Sequence, residues 1–309
     1  MLVIETAGLT KRYPRVTALD ELDMSVGEGV TGLVGANGAG KSTLIKILLG
    51  LVPATSGAAH VLGCDVATEG KAIRSHVGYM PEHDCLPADV PASDLVVHLG
   101  QMSGLPYPAA RERASDVLRH VGLGEERYRP IGGYSTGMKQ RVKLAQALVH
   151  DPRLVLLDEP TNGLDPSSRD DMLSLVRRIG TEFGIAVLVT SHLLGELERI
   201  SDHVVVIEAG RLLRSSATTD FTHATGVLLV EVQGRTDANQ LLGQALVDAG
   251  LRARPASGMV EVDVRNEETY DVVRDVTVEL GLGLVRMQER HHRIEDVFRE
   301  GGAGSVQPV

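Results

Sequence analysis

The chain has 309 residues, 43% apolar and 23% charged, with a net charge of −10. At ~100–200 residues per domain this length predicts two domains. The composition excludes a collagen-like, largely disordered or disulfide-stapled chain, and the acidic balance argues against a nucleic-acid coat, so no nucleic-acid partner is expected. There is no Trp and aromatics total 3%, so cores must be built from Val, Leu, Ile and Ala, and a base-stacking surface is not expected. Cys64 and Cys85 fit a reducing compartment and match no metal spacing. Glu5 comes early and no run approaches ~18 apolar residues, which predicts neither a signal peptide nor a membrane span.

Along the chain, Val30–Val34, Leu154–Leu157 and Ile185–Val189 read as buried parallel strands, each followed by a polar turn. Leu44, Ile45, Leu48 and Leu49 recur at helical spacing after the first of these, with Gly50 as a C-cap. Residues 87–130 are helical and Pro-punctuated, and Ala114, Val117, Leu118 and Val121 share one face. The alternation predicts an α/β fold with a mostly parallel sheet and an inserted helical subdomain at about 87–150. Val204–Glu208, Ala209-Gly210 and Arg211–Leu213 read as a closing hairpin, which sets the first domain at 1–214. Ser/Thr-rich 215–225 reads as a linker.

The remainder changes character. Val227–Gln233 reads as a strand, Ala238–Ala249 as a helix, and Leu251–Pro255 and Met259–Arg265 as strands around Ser257-Gly258. Glu267–Leu280 is a second helix and Gly283–Glu289 a last strand. The order βαββαβ predicts a small ferredoxin-like α+β domain over 226–300. A short helix, Ile294–Arg299, and a frayed tail at 301–309 follow. Residues 226–300 carry 14 acidic and 9 basic residues, which again disfavours nucleic acid. His291-His292 lacks further ligands and reads as a solvated loop.

The chemistry concentrates in three motifs. Gly35-Ala36-Asn37-Gly38-Ala39-Gly40-Lys41-Ser42 fits the Walker A pattern, with a buried strand before it and an apolar helix after. Its backbone N–H groups can wrap a phosphate chain, and the helix N-terminus adds partial positive charge. Lys41 suits the outer phosphates, the Ser42 hydroxyl suits Mg²⁺, and Thr43 can add a phosphate contact. About 115 residues later the strand Leu154–Leu157 ends in Asp158-Glu159. Asp158 would hold Mg²⁺ and Glu159 would polarise the attacking water. Between them, Tyr134-Ser135-Thr136-Gly137-Met138-Lys139-Gln140-Arg141 precedes an amphipathic helix, with Ser135 as a natural N-cap.

In that place Tyr134–Arg141 resembles the signature sequence of ABC ATPases, and over roughly 2–220 the chain resembles ABC transporter ATP-binding subunits, most of all those of ABC-2-type exporters. The resemblance implies a P-loop NTPase fold that binds ATP and Mg²⁺ and hydrolyses ATP. It makes Tyr13 the adenine-stacking aromatic and Asn162-Gly163-Leu164-Asp165 the D-loop, with Asp165 a dimer contact. His192 becomes the switch histidine at the γ-phosphate edge, and Glu82, in Tyr79-Met80-Pro81-Glu82, stands at the Q-loop position. It further implies that Ser135 and Gly137 of one subunit close over ATP held by another, as a homodimer or heterodimer. A separate transmembrane permease would be the partner, with this chain cytoplasmic and peripheral on the inner face of the membrane. Three residues depart from the family pattern. Glu82 replaces Gln and can still accept from a water or approach Mg²⁺ beside Ser42 and Asp158 but cannot donate through an amide, Thr136 adds a Cβ in the signature turn, and Met138 removes a polar contact. The alternative is a soluble ABC ATPase acting on a macromolecular partner, against which stand the single cassette and the lack of sustained heptads. A P-loop kinase would require neither the Ser135 turn nor His192.

Overall fold

The computed structural model describes residues 2–218, 224–234, 237–256, 258–264, 266 and 268–291. They fall into two compact units divided between Thr218 and Thr219. The first begins with Ile4–Tyr13 (β1) and Val16–Val26 (β2), which pair antiparallel. Next come β3 (Val30–Val34), α1 (Lys41–Leu48), β4 (Ser56–Val61) and β5 (Cys64–Asp65). Strands β2-β1-β4-β5 form a four-stranded antiparallel sheet. This sheet has no counterpart in the sequence reading. Register shifts between Thr6 and Leu9 and between Leu9 and Lys11 break the two-residue alternation that would have announced β1.

The chain continues through α2 (Gly70–His76), β6 (Val77–Met80), α3 (Ala92–Met102), α4 (Tyr107–His120) and α5 (Thr136–Leu148). Then follow β7 (Leu154–Leu157), α6 (Pro166–Thr181), β8 (Ala186–Ser191), α7 (Leu194–Ile200), β9 (His203–Glu208) and β10 (Arg211–Ala217). A six-stranded sheet runs β10-β9-β3-β8-β7-β6. All its neighbours are parallel except the β9–β10 hairpin. Its central strands are buried on both faces, as their unbroken apolar runs require. Parallel pairing puts the carboxyl ends of β3, β6, β7 and β8 on one edge, so the turns beginning at Gly35, Pro81, Asp158 and His192 meet there.

Among the boundaries that differ from expectation, two have a clear physical reason. The strand expected at Ile185–Val189 runs instead from Ala186 to Ser191. Thr190 and Ser191 stay in it, fully buried, because their hydroxyls are hydrogen-bonded to carboxylates. The linker expected at 215–225 is strand at both ends. Ser215, Ser216 and Ala217 pair with Val205, Val204 and His203, so ladder bonds override their Ser-rich composition, and Ala224 opens the next strand.

In the second unit β11 (Ala224–Gln233), α8 (Ala238–Asp248), β12 (Ala253–Ala256), β13 (Met259–Asp263), α9 (Glu268–Glu279) and β14 (Gly283–His291) follow the βαββαβ order. The antiparallel sheet order is β12-β13-β11-β14, the ferredoxin-like arrangement. Leu242, Leu246 and Val273 of the helices join Leu228, Val230, Val260 and Val262 in one core. Each such buried side chain contributes ~1.5–3 kcal/mol. His291 closes β14 rather than lying in a loop, because strand pairing with Ala224 extends to it. The expected Ile294–Arg299 helix and the 301–309 tail lie outside the described residues. Among the described residues, no helix is long and apolar enough to cross a membrane.

Candidate functional site

The turn between β3 and α1 surrounds a cavity of about 660 Å³. Ala36 to Thr43 line it, together with Tyr13, Val16, Ala18, Glu82, Glu159, Asn162 and His192. Gly40 has φ +107°, and a Cβ there would sit 2.4 Å from the Ala18 carbonyl. Gly35 packs as closely, its Cβ position being 2.5 Å from the Ile207 carbonyl. The glycines therefore let the turn lie against β2 and β9 while its residues line the cavity. Tyr13, 40% exposed, stands at the rim with Lys11 Nζ 5.1 Å from its ring centre.

Lys41 is buried. Its Nζ donates to the Gly35 carbonyl at 2.6 Å and lies 3.3 Å from Glu159 Oε1. That second contact is an ion pair without hydrogen-bond geometry, and Oε1 has no hydrogen-bond partner. Glu159 Oε2 accepts from His192 Nδ1 at 2.8 Å. Since a carboxylate only accepts, Nδ1 carries the proton. Glu159 also has φ +49°, a left-handed backbone that is costly for a residue with a side chain. The residue is held there by its N–H, which donates to Thr190 Oγ1 at 2.9 Å. Thr190 Oγ1 in turn donates to Asp158 Oδ1 at 2.9 Å, so one hydroxyl fixes both acids that end β7.

Asp158 is buried, and burial pushes its carboxyl above the usual carboxylate range, while hydrogen bonds with Thr190 and Ser42 oppose the rise. Ser42 and Asp158 thus bring two oxygen donors together. Among the described residues no group of three or more His, Cys, Asp or Glu could cage a metal. This donor set suits Mg²⁺, which takes one or two protein oxygens and completes its shell with phosphate and water. Glu82 reaches the same cavity from the end of β6, where its Oε1 accepts from Asn162 Nδ2 at 3.1 Å.

Ser135, Gly137 and Asp165 do not line this cavity. Ser135 caps α5, its Oγ accepting from Met138 N–H at 3.3 Å. Gly137 packs toward Ser168, whose side chain a Cβ would meet at 3.3 Å. Asp165 caps α6 through Ser168 N–H and Oγ, at 3.0 and 2.7 Å, which hold its carboxyl below the usual range. Sequence reasoning missed Thr190, Val16 and Ala18. A signal for Thr190 did exist, since a polar pair closing an apolar strand must find partners if buried.

Residues 19–162 match the ABC transporter family. The chain is 36% identical to the daunorubicin/doxorubicin resistance ATP-binding protein DrrA of Streptomyces peucetius, over 79% of this chain and 75% of DrrA. This chain belongs to the ATP-binding proteins of ABC transporters. It is also 38% identical to the bacitracin transport ATP-binding protein BcrA of Bacillus licheniformis, over 68% of each chain. Its fold matches a dimeric, post-hydrolysis structure of the cassette MJ0796 bound to ADP and Pi, with a TM-score of 0.64 and 21% identity, over 70% of this chain and 98% of that one. In this family member the Ala36–Thr43 loop, Glu82, Glu159 and His192 thus line one cavity with Asp158 buried next to Glu159, and Ser135 and Gly137 are not among its lining residues.

Proposed function

We propose that this ABC ATPase binds and hydrolyses ATP at the Lys41 cavity and closes as a pair of subunits around two nucleotides to drive a separate transmembrane permease. The relatives named for drug resistance and bacitracin transport support export. On this reading the chain works at the inner face of the membrane, held there by its permease.

One observation carries the proposal. Lys41, Glu159 and His192 form a contiguous chain of contacts inside the cavity, whereas Ser135 and Gly137 are absent from its lining. A single subunit therefore has the hydrolytic groups and lacks the cap. A two-fold pair supplies each site with the other subunit's α5 N-terminus, an isologous arrangement.

The mechanism follows from the contacts. Tyr13 offers its ring to adenine. Amides of Ala36–Thr43 and the α1 N-terminus receive the phosphates. An arriving γ-phosphate competes for Lys41, drawing it from Glu159. Freed of its ion pair, Glu159 orients a water and takes its proton, while His192, held by Glu159, faces the γ-phosphate. Ser42 and Asp158, with Glu82 nearby, would hold Mg²⁺, which when bound offsets phosphate charge. Asp165, at the start of α6, would meet the partner subunit.

Light scattering tests the pairing. Glu159→Gln with Mg-ATP should run as a dimer, and Ser135→Arg in that background as a monomer that still binds nucleotide. A dimer that persists with Ser135→Arg refutes the capping assignment.

A further inference from the structure

Glu196 lies in the first turn of α7, four residues after His192. An acid there ordinarily complements the helix dipole from the surface. Glu196 is instead buried, with its side chain 8% exposed. Its Oε2 accepts from Thr161 Oγ1 at 2.8 Å and from Ser191 Oγ at 3.1 Å. Its Oε1 lies 3.2 Å from Arg169 Nε of α6. A buried carboxylate is costly unless such partners satisfy it.

The partners are placed on the two turns that matter. Thr161 is two residues beyond Glu159, and Ser191 immediately precedes His192. Ser191 Oγ also accepts from Leu193 N–H at 3.0 Å, bracketing His192 from both sides. We propose that Glu196 is a positioning residue of the hydrolytic site. Its buried carboxylate bolts the turn after Glu159 to the turn carrying His192, and so sets the contact between those two side chains. Arg169, whose Nη2 also reaches the Leu164 carbonyl at 3.5 Å, ties the bolt to the segment ending at Asp165. The inference rests on the assignment of Glu159 and His192 to hydrolysis.

The test compares Glu196→Ala, Glu196→Gln, Thr161→Val and Ser191→Ala in the full-length chain, reading kcat, KM for Mg-ATP and the ¹⁵N resonance of His192 Nδ1. A displacement of about 1 Å at reacting groups costs on the order of 100-fold. Glu196→Ala should lose about that in kcat with KM held within about twofold, and should shift the His192 resonance. Glu196→Gln keeps an oxygen for Thr161 and Ser191 and should restore most of the loss. Thr161→Val and Ser191→Ala remove the same bonds from the other side and should each cost about tenfold, which keeps the test open if Glu196→Ala does not fold. Parental kcat in the Thr161, Ser191 and Glu196 variants overturns the inference. So does a loss that Gln fails to restore while the His192 resonance stays fixed. Glu159→Gln separates the two levels. If it hydrolyses ATP at the parental rate, the hydrolytic assignment fails; if it is inactive and the Glu196 set is unaffected, only the positioning role fails.

Discussion

Replacing Glu159 by Gln should tighten ATP binding while stopping turnover. Lys41 Nζ lies 3.3 Å from Glu159 Oε1, and both side chains are 7% exposed. At an effective dielectric of ~20 that pair is worth about 5 kcal/mol of Coulomb energy. Nucleotide must divert Lys41 from this partner before it can use the cation. Gln removes the competing charge and also the carboxylate's repulsion of phosphate. Lys41 also donates to the Gly35 carbonyl, at 2.6 Å, a bond that nucleotide must share or displace as well, so only part of the pair energy is recovered. A gain of about 1.4 kcal/mol, tenfold in Kd, is the expected minimum. Loss of general-base help should lower kcat by ~10²–10⁴. Equilibrium titration with a fluorescent ATP analogue and single-turnover hydrolysis read the two effects separately. The affinity gain should vanish in a Lys41→Met background, since the cation being released is then gone. An unchanged Kd, or a gain that survives Lys41→Met, refutes the competition; hydrolysis at the parental rate refutes the role of Glu159.

Gly40→Ala should abolish nucleotide binding and lower the melting temperature, because φ is +107° and the new Cβ would lie 2.4 Å from the Ala18 carbonyl; binding within twofold of wild type contradicts this. Chelation with EDTA should weaken ATP binding, and Asp158→Asn should blunt the Mg²⁺ dependence; an ATP affinity indifferent to Mg²⁺ would remove Ser42 and Asp158 as its holders. His150 is neutralised by burial, which lowers its imidazole pKa from 6.5. The unfolded chain then takes the proton first, so this contribution to stability is present above about pH 6.5 and is lost as pH falls below it. Urea midpoints at pH 7.5 and 5.5 should differ less in His150→Gln than in wild type, and equal differences would show that another group governs the slope.

The parallel sheet and the cavity were legible because their signals are local. Val30–Val34 and Leu154–Leu157 are apolar throughout, and each runs into a turn whose residue types allow few readings. The antiparallel sheet was not legible, since its bulged β1 pairs with β4 across some fifty residues and its pattern is shared between strands. Ser215–Ala217 misled for the opposite reason: polar side chains suggest a loop, yet what holds them is backbone pairing to β9. Within the site, the loop glycines, Asp158, Glu159 and His192 could be placed by motif. The Lys41–Glu159 ion pair could not, nor could the Thr190 hydroxyl that serves two acids, because both depend on how β7 and β8 align.

The cavity's own side chains oppose the arrival of a polyanion. Glu82 and Glu159 line it and Asp158 lies buried beside them. Lys41, the lysine among the lining residues, is already neutralised by Glu159. What remains to attract phosphate at rest is the N-terminus of α1 and the turn's amides, a partial charge of roughly half a unit plus hydrogen bonds. On the proposed function three further sources of positive potential would be recruited: a divalent cation at Ser42 and Asp158, the Lys41 charge once Glu159 releases it, and the N-terminus of a second subunit's α5, whose cap Ser135 is not among the residues lining this chain's own cavity. A Gln at position 82 would leave the resting deficit smaller by one charge. With Glu82 the deficit is deeper, which on the proposed pairing would leave nucleotide-free subunits less to hold them closed. On the proposed function, binding, metal uptake and pairing would thereby become a single coupled event, because each supplies charge compensation that the others need.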